Sequence, residues 1–164
     1  MSTAVFFAQP RPAEKSADPN APTSYEAKYE GGIFGASGRE KGTLKFDDAN
    51  SRVTFYRKSD GREMFTIPYE ALVVVYPDSK VAMSQTGNVL SRVPVPGAGL
   101  FGLMSKSSKF LILRFDDADI DVQGVANFKF DDKKDLLNFI HSLGSRAKMT
   151  QRGDAYYRSK KATF

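Results

Sequence analysis

The sequence predicts a mainly β domain closed by one C-terminal helix, with about seven strands in a strongly bent antiparallel sheet. Three observations carry that expectation. Residues 42–76 form short alternating apolar runs separated by Asp-Asp-Ala-Asn and Asp-Gly turn signals. Residues 110–130 repeat the pattern around an acidic turn, and the apolar period then lengthens to place Leu136, Phe139, Ile140 and Leu143 on one helical face.

The closing helix is argued from its ends. Asp131 or Asp132 can accept hydrogen bonds from the unpaired N–H groups of the first turn, and a carboxylate there suits the positive end of the helix dipole. Gly144 is expected to end the helix in a left-handed conformation. So short a helix is marginal alone, so its apolar stripe must lie on the sheet.

The strands follow in order. Tyr25 to Phe34 alternates loosely and reads as the first, with Gly31, Gly32, Gly35 and Gly38 allowing a bend beyond it. Leu44 and Phe46 point one way, Val53 and Phe55 return to that side, and Phe65 and Ile67 continue the inward row. Pro68 removes a ladder donor and marks a strand end or edge. Leu72 to Tyr76 is β-branched and closed by Pro77-Asp78.

The expected organisation is a disordered leader over 1–24 with four prolines, a barrel domain over 25–147, and a basic flexible tail over 148–164. Within the domain, residues 78–108 interrupt the meander as a loop insertion, with an additional short strand over 81–86. The stretch 93–104 is apolar yet fits neither period, and the outer side of the strand at 110–115 is a place for it to fold.

The chain has no cysteine, which excludes disulfides, thiol catalysis and thiolate metal sites. No apolar run approaches the roughly eighteen residues of a membrane span, and Val5 to Ala8 is too short for a secretory segment. The expectation is a soluble cytoplasmic protein, able to associate peripherally with a membrane. The net charge of +5 divides unevenly: residues 1–24 sum to 0, 25–147 to +1 and 148–164 to +4. A charged tail, not a charged domain, makes the protein basic.

The segments Gly42-Thr43-Leu44-Lys45-Phe46, Arg52-Val53-Thr54-Phe55, Phe65-Thr66-Ile67-Pro68-Tyr69-Glu70-Ala71-Leu72 and Lys109 to Phe115, followed by the last helix, resemble the pleckstrin-homology-like superfold. The likeness covers about residues 26–147 and is nearest to small bacterial and GRAM-type members. It implies a seven-stranded barrel plugged by the C-terminal helix and a non-catalytic binding role. Phosphoinositide-binding members carry a basic signature across the first hairpin. Here that region holds Arg39-Glu40-Lys41 and Lys45, without the signature's final arginine.

Motifs for chemistry fail on context. Gly97-Ala98-Gly99-Leu100-Phe101-Gly102 matches GxGxxG, but Pro94 and Pro96 spoil the strand that a dinucleotide site requires. Asp117, Asp119 and Asp121 alternate as in a calcium loop, while Val122 and Phe128 stand where glycine and glutamate are needed. His141 is the sole histidine, is expected at the surface, and has no GxSxG serine to serve. In the tail, Arg152, Tyr156, Tyr157, Arg158, Lys160 and Lys161 interleave cations with aromatics, a pattern that suits single-stranded nucleic acid or a negatively charged membrane surface but is better read as a solubilising end.

The reading is therefore a module without cofactor or metal that recognises a protein segment or an anionic lipid headgroup through the open end of the barrel and its neighbouring loops, with nucleic acid disfavoured. Leu100, Phe101 and Leu103 serve as apolar anchors, and Arg39, Lys41, Lys45, Lys106 and Lys109 steer towards anionic surfaces. The alternative is self-association into a homo-oligomer through the loop 93–104 or a sheet edge.

Overall fold

The computed structural model describes residues 20–80, 109–117 and 122–159. Nine strands and one helix occur among them: β1 (Ser24–Gly31), β2 (Glu40–Asp47), β3 (Arg52–Arg57), β4 (Glu63–Pro68), β5 (Leu72–Asp78), β6 (Phe110–Asp117), β7 (Val122–Lys129), α1 (Lys133–Arg146), β8 (Thr150–Arg152) and β9 (Ala155–Tyr157). All ladders are antiparallel, in the order β4-β3-β2-β1-β7-β6-β5-β9-β8. The expected seven-stranded barrel is thus replaced by one open sheet of nine strands, whose edges β4 and β8 share no ladder.

The sheet is nevertheless strongly curved. β4 and β5 stand six positions apart in the order, about 29 Å on a flat sheet at roughly 4.8 Å per strand. Yet only the short turn Tyr69–Ala71 joins them, and four residue steps span at most about 15 Å. The chain can make that connection only if the sheet curls.

One face of α1 packs on this sheet, while Lys134, Asp135 and Asn138 stay exposed. Leu136, Phe139, Ile140 and Leu143, the predicted stripe, are fully buried. Phe139 stacks on Phe46 of β2 with centroids 5.1 Å apart and meets Tyr25 of β1 edge-on at 5.4 Å. A second aromatic cluster joins Tyr29, Phe55, Phe65 and Phe128 from four strands, with centroids 5.0–6.0 Å apart. Such offset and tilted pairs are worth about 0.5–1.5 kcal/mol each beyond burial.

Asp132 is the N-cap and accepts from the Lys134 N–H at 2.6 Å. The helix does not stop at Gly144 but runs to Arg146. Met149 N donates to Gly144 O at 2.9 Å and Lys148 N to Ser145 O at 3.1 Å, a Schellman end in which Lys148, with φ +52°, takes the left-handed position. Gly144 serves packing instead, because a Cβ there would lie 2.2 Å from Cδ1 of Tyr156.

The C-terminal segment is the largest departure from expectation. Residues 150–157, read as part of a flexible tail, form the β8–β9 hairpin that extends the sheet beyond β5. The driving force is apolar, since Ala155 and Tyr156 are buried. His141, expected at the surface, is half-buried, and its Nδ1 lies 3.0 Å from the Tyr156 hydroxyl. The additional strand expected over 81–86 and the apolar stretch 93–104 lie outside the described residues.

Candidate functional site

The connection between β1 and β2 is a glycine-rich turn built around Tyr29. Its ring is buried, and its hydroxyl accepts from Ile33 N at 2.8 Å and donates to Ala36 O at 3.3 Å. Burial raises the Tyr29 phenol above its ordinary pKa, partly offset by the Ile33 N–H that favours the phenolate. Ala36 N donates to Ile33 O at 3.2 Å, so Phe34 and Gly35 form the apex of a four-residue turn. Gly35 has φ +83°, the left-handed value that a type II turn demands at its third position. At the base, Asn127 Nδ2 donates to Gly31 O at 3.1 Å, and Arg39 Nε meets Glu30 Oε2 at 2.9 Å.

This held turn presents Phe34 at 90% exposure, whereas the next large apolar side chain among the described residues, Val73, is 38% exposed. Gly35 follows Phe34 directly and Gly31-Gly32 lie just before Ile33, so few side chains stand near the ring along the chain. The sequence reading passed over Phe34 because those glycines signalled only a bend.

Beneath the turn, the register aligns cations across three strands and the turn that follows β3. Lys28 pairs with Lys129 of β7 on one side and Lys41 of β2 on the other. Lys58 continues the row, since its N–H donates to Lys41 O at 2.8 Å. Alternation puts Lys129, Lys28 and Lys41 on the outer face, because Ala27, Tyr29, Leu44 and Phe128 take the core side, and Lys58 is exposed in the turn after β3. Lys28 meets Glu30 at 3.0 Å and Lys58 meets Glu26 at 3.6 Å. Like charges directly opposed on a sheet destabilise it by a few tenths of a kcal/mol to about 1 kcal/mol a pair.

The predicted cations divide on this geometry. Lys41 belongs to the row and Arg39 to the base of the turn. Lys45 lies further along β2, with its ammonium 4.9 Å from the Tyr56 ring centroid. Lys109 is turned away; its Nζ donates to Asp131 O at 3.1 Å, which ties β6 to the entry of α1. Leu100, Phe101, Leu103 and Lys106 lie outside the described residues. Lys28 and Lys129 were missed because their alignment depends on β1–β7 pairing between distant parts of the chain.

A different set of groups fixes the far end of the sheet. Asp48 takes the Tyr69 hydroxyl at 2.8 Å and also pairs with Arg146, whose guanidinium lies 4.6 Å from the Phe46 ring centroid. Burial first, and then the nearby Asp47 charge, push the Tyr69 phenol up to about 12. The Asn50 side chain and then Arg52 hold Asp47 below its ordinary range. These bonds bind separate elements together. Among the described residues, no cluster of three His, Cys, Asp or Glu could hold a metal, and no helix is long and apolar enough to cross a membrane.

No protein family matches the sequence, and no curated protein does. Among solved structures, the chain is similar to Inner Membrane Complex Sub-compartment Protein 3 from Toxoplasma gondii, at 15% identity and TM-score 0.41, over 76% of this chain and 74% of that one.

Proposed function

We propose that this chain is a non-catalytic binding module that meets the anionic headgroups of a membrane surface through the Lys129–Lys28–Lys41–Lys58 row, with Phe34 as its apolar apex. The carrying observation is the row itself. Lys28 and Lys58 each meet a glutamate, which offsets part of the repulsion along the row, and an anionic surface would offset what is left.

The strength of such a contact can be bounded. Lys28, Arg39, Lys41, Lys58 and Lys129 stand against Glu26, Glu30 and Glu40, a local excess of two charges. At about 1 kcal/mol per charge near an anionic leaflet, this contributes about 2 kcal/mol. Burying Phe34 adds about 1.5–3 kcal/mol. The total falls near the 4.1 kcal/mol of millimolar affinity, so the contact is weak, reversible and strengthened by multivalency.

Vesicle sedimentation tests the reading. Recovery should rise when phosphatidylserine is added to phosphatidylcholine vesicles and fall with salt. Lys41→Glu and Phe34→Asp should each reduce it with the fold intact. Equal recovery on both vesicle types would reject the membrane reading. If a poly-glutamate peptide instead bound in a Lys41-dependent way, the row would belong to an acidic protein segment.

A further inference from the structure

The seat of the C-terminal segment has the parts of a peptide-recognition groove. The first part is backbone: the outer edge of β5 pairs through Val74 with Tyr157 and through Val75 with Tyr156, and Arg158 N donates to Val73 O at 2.9 Å. The second is a notch. Gly144 leaves the space that the Tyr156 ring fills, and His141 Nδ1 lies 3.0 Å from the phenol oxygen at its rim. The third is a cradle of main-chain oxygens. Arg158 Nε donates to Leu72 O at 3.0 Å, and its Nη2 donates to Tyr69 O at 2.7 Å and Ala147 O at 3.0 Å.

These parts divide the work of recognition. An exposed sheet edge binds any extended chain through its main-chain groups, and pockets for alternate side chains add sequence preference. Residues two apart on a strand lie on the same side, so the notch and the cradle read an aromatic and an arginine at that spacing. The cradle contributes three carbonyls and no carboxylate, which fits the fork of an arginine better than the point charge of a lysine.

We infer that the β5 edge, the Gly144 notch and the Tyr69–Leu72–Ala147 carbonyl cradle form a binding groove for an extended Tyr-x-Arg segment, filled in this chain by its own residues 155–158. The groove is independent of the lysine row.

The probe is a labelled peptide of residues 149–159. Full-length Tyr156→Ala/Arg158→Ala chain, whose notch and cradle are emptied and whose own segment is held only by main-chain bonds, should bind it saturably, and the wild-type chain at least tenfold more weakly. Replacing the arginine of the peptide by alanine or lysine should weaken binding at least tenfold. A folded double variant that ignores the peptide would overturn the inference. A second format covers a double variant that does not fold. A protease site engineered between Lys148 and Met149 is cut in the otherwise native chain, and the nicked protein is diluted. Release of the segment with retention of the far-UV spectrum, and recovery on adding peptide, are expected. Loss of the fold on release would mean that the hairpin is an inseparable part of the domain.

Discussion

The ring of Tyr156 rests directly on Gly144, so closely that a single added methyl group would lie 2.2 Å from its Cδ1 atom. Gly144→Ala should therefore destabilise the domain, although alanine is the better helix former. Relief of glycine's backbone entropy is worth about 0.5–1 kcal/mol, while overpacking a buried contact costs about 1–3 kcal/mol. Urea denaturation should show a net loss of about 1–2 kcal/mol, and Tyr156→Ala in the same background should make Gly144→Ala neutral or favourable.

Lys148→Gly should have the opposite sign. The lysine holds φ +52° at the end of α1, a position that glycine occupies without strain. A gain of about 0.5–1 kcal/mol in the same denaturation experiment is expected. A loss would show that the lysine side chain contributes more than its backbone costs.

Tyr29→Phe should loosen the turn while sparing the core. The ring stays packed against Phe55, Phe65 and Phe128, but the buried end of the turn loses the acceptor for Ile33 N. A stability loss of about 1–2 kcal/mol is expected. Amide exchange should quicken at Ile33 and Ala36, with the strands beyond unchanged.

Alkaline titration should separate folded from unfolded phenols. Tyr29, Tyr69 and Tyr156 all have raised pKa values, with desolvation the largest cause in each. The unfolded chain then releases protons near pH 10 while the folded chain holds them, so the contribution of these tyrosines to stability is flat below pH 10 and falls as the pH rises towards about 12. With seven tyrosines and no tryptophan, phenolate absorbance reads this directly. Part of the signal should appear only with unfolding, and Tyr69→Phe should shift that transition upward.

Local periodicity made much of this fold legible. The stripe on α1, the inward rows of β2 to β4 and an acidic cap at Asp131 or Asp132, which the structure resolves to Asp132, all follow from neighbouring residues. What escaped depends on partners remote in the chain. Gly144 resembles a helix terminator until Tyr156 is placed against it. The basic run around Tyr156 resembles a solvated tail until β5 offers an edge. The lysine row appears only when Lys28 meets Lys129, and Phe34 becomes conspicuous only once the turn is known to leave it bare.

The two borders of the sheet are poor templates for addition of further copies. β4 carries a register shift opposite Phe55 and Tyr56 and ends in Pro68, which has no N–H to give. β8 is three residues long, wholly exposed and polar. Among the described residues, border-to-border growth into ribbons is thereby discouraged.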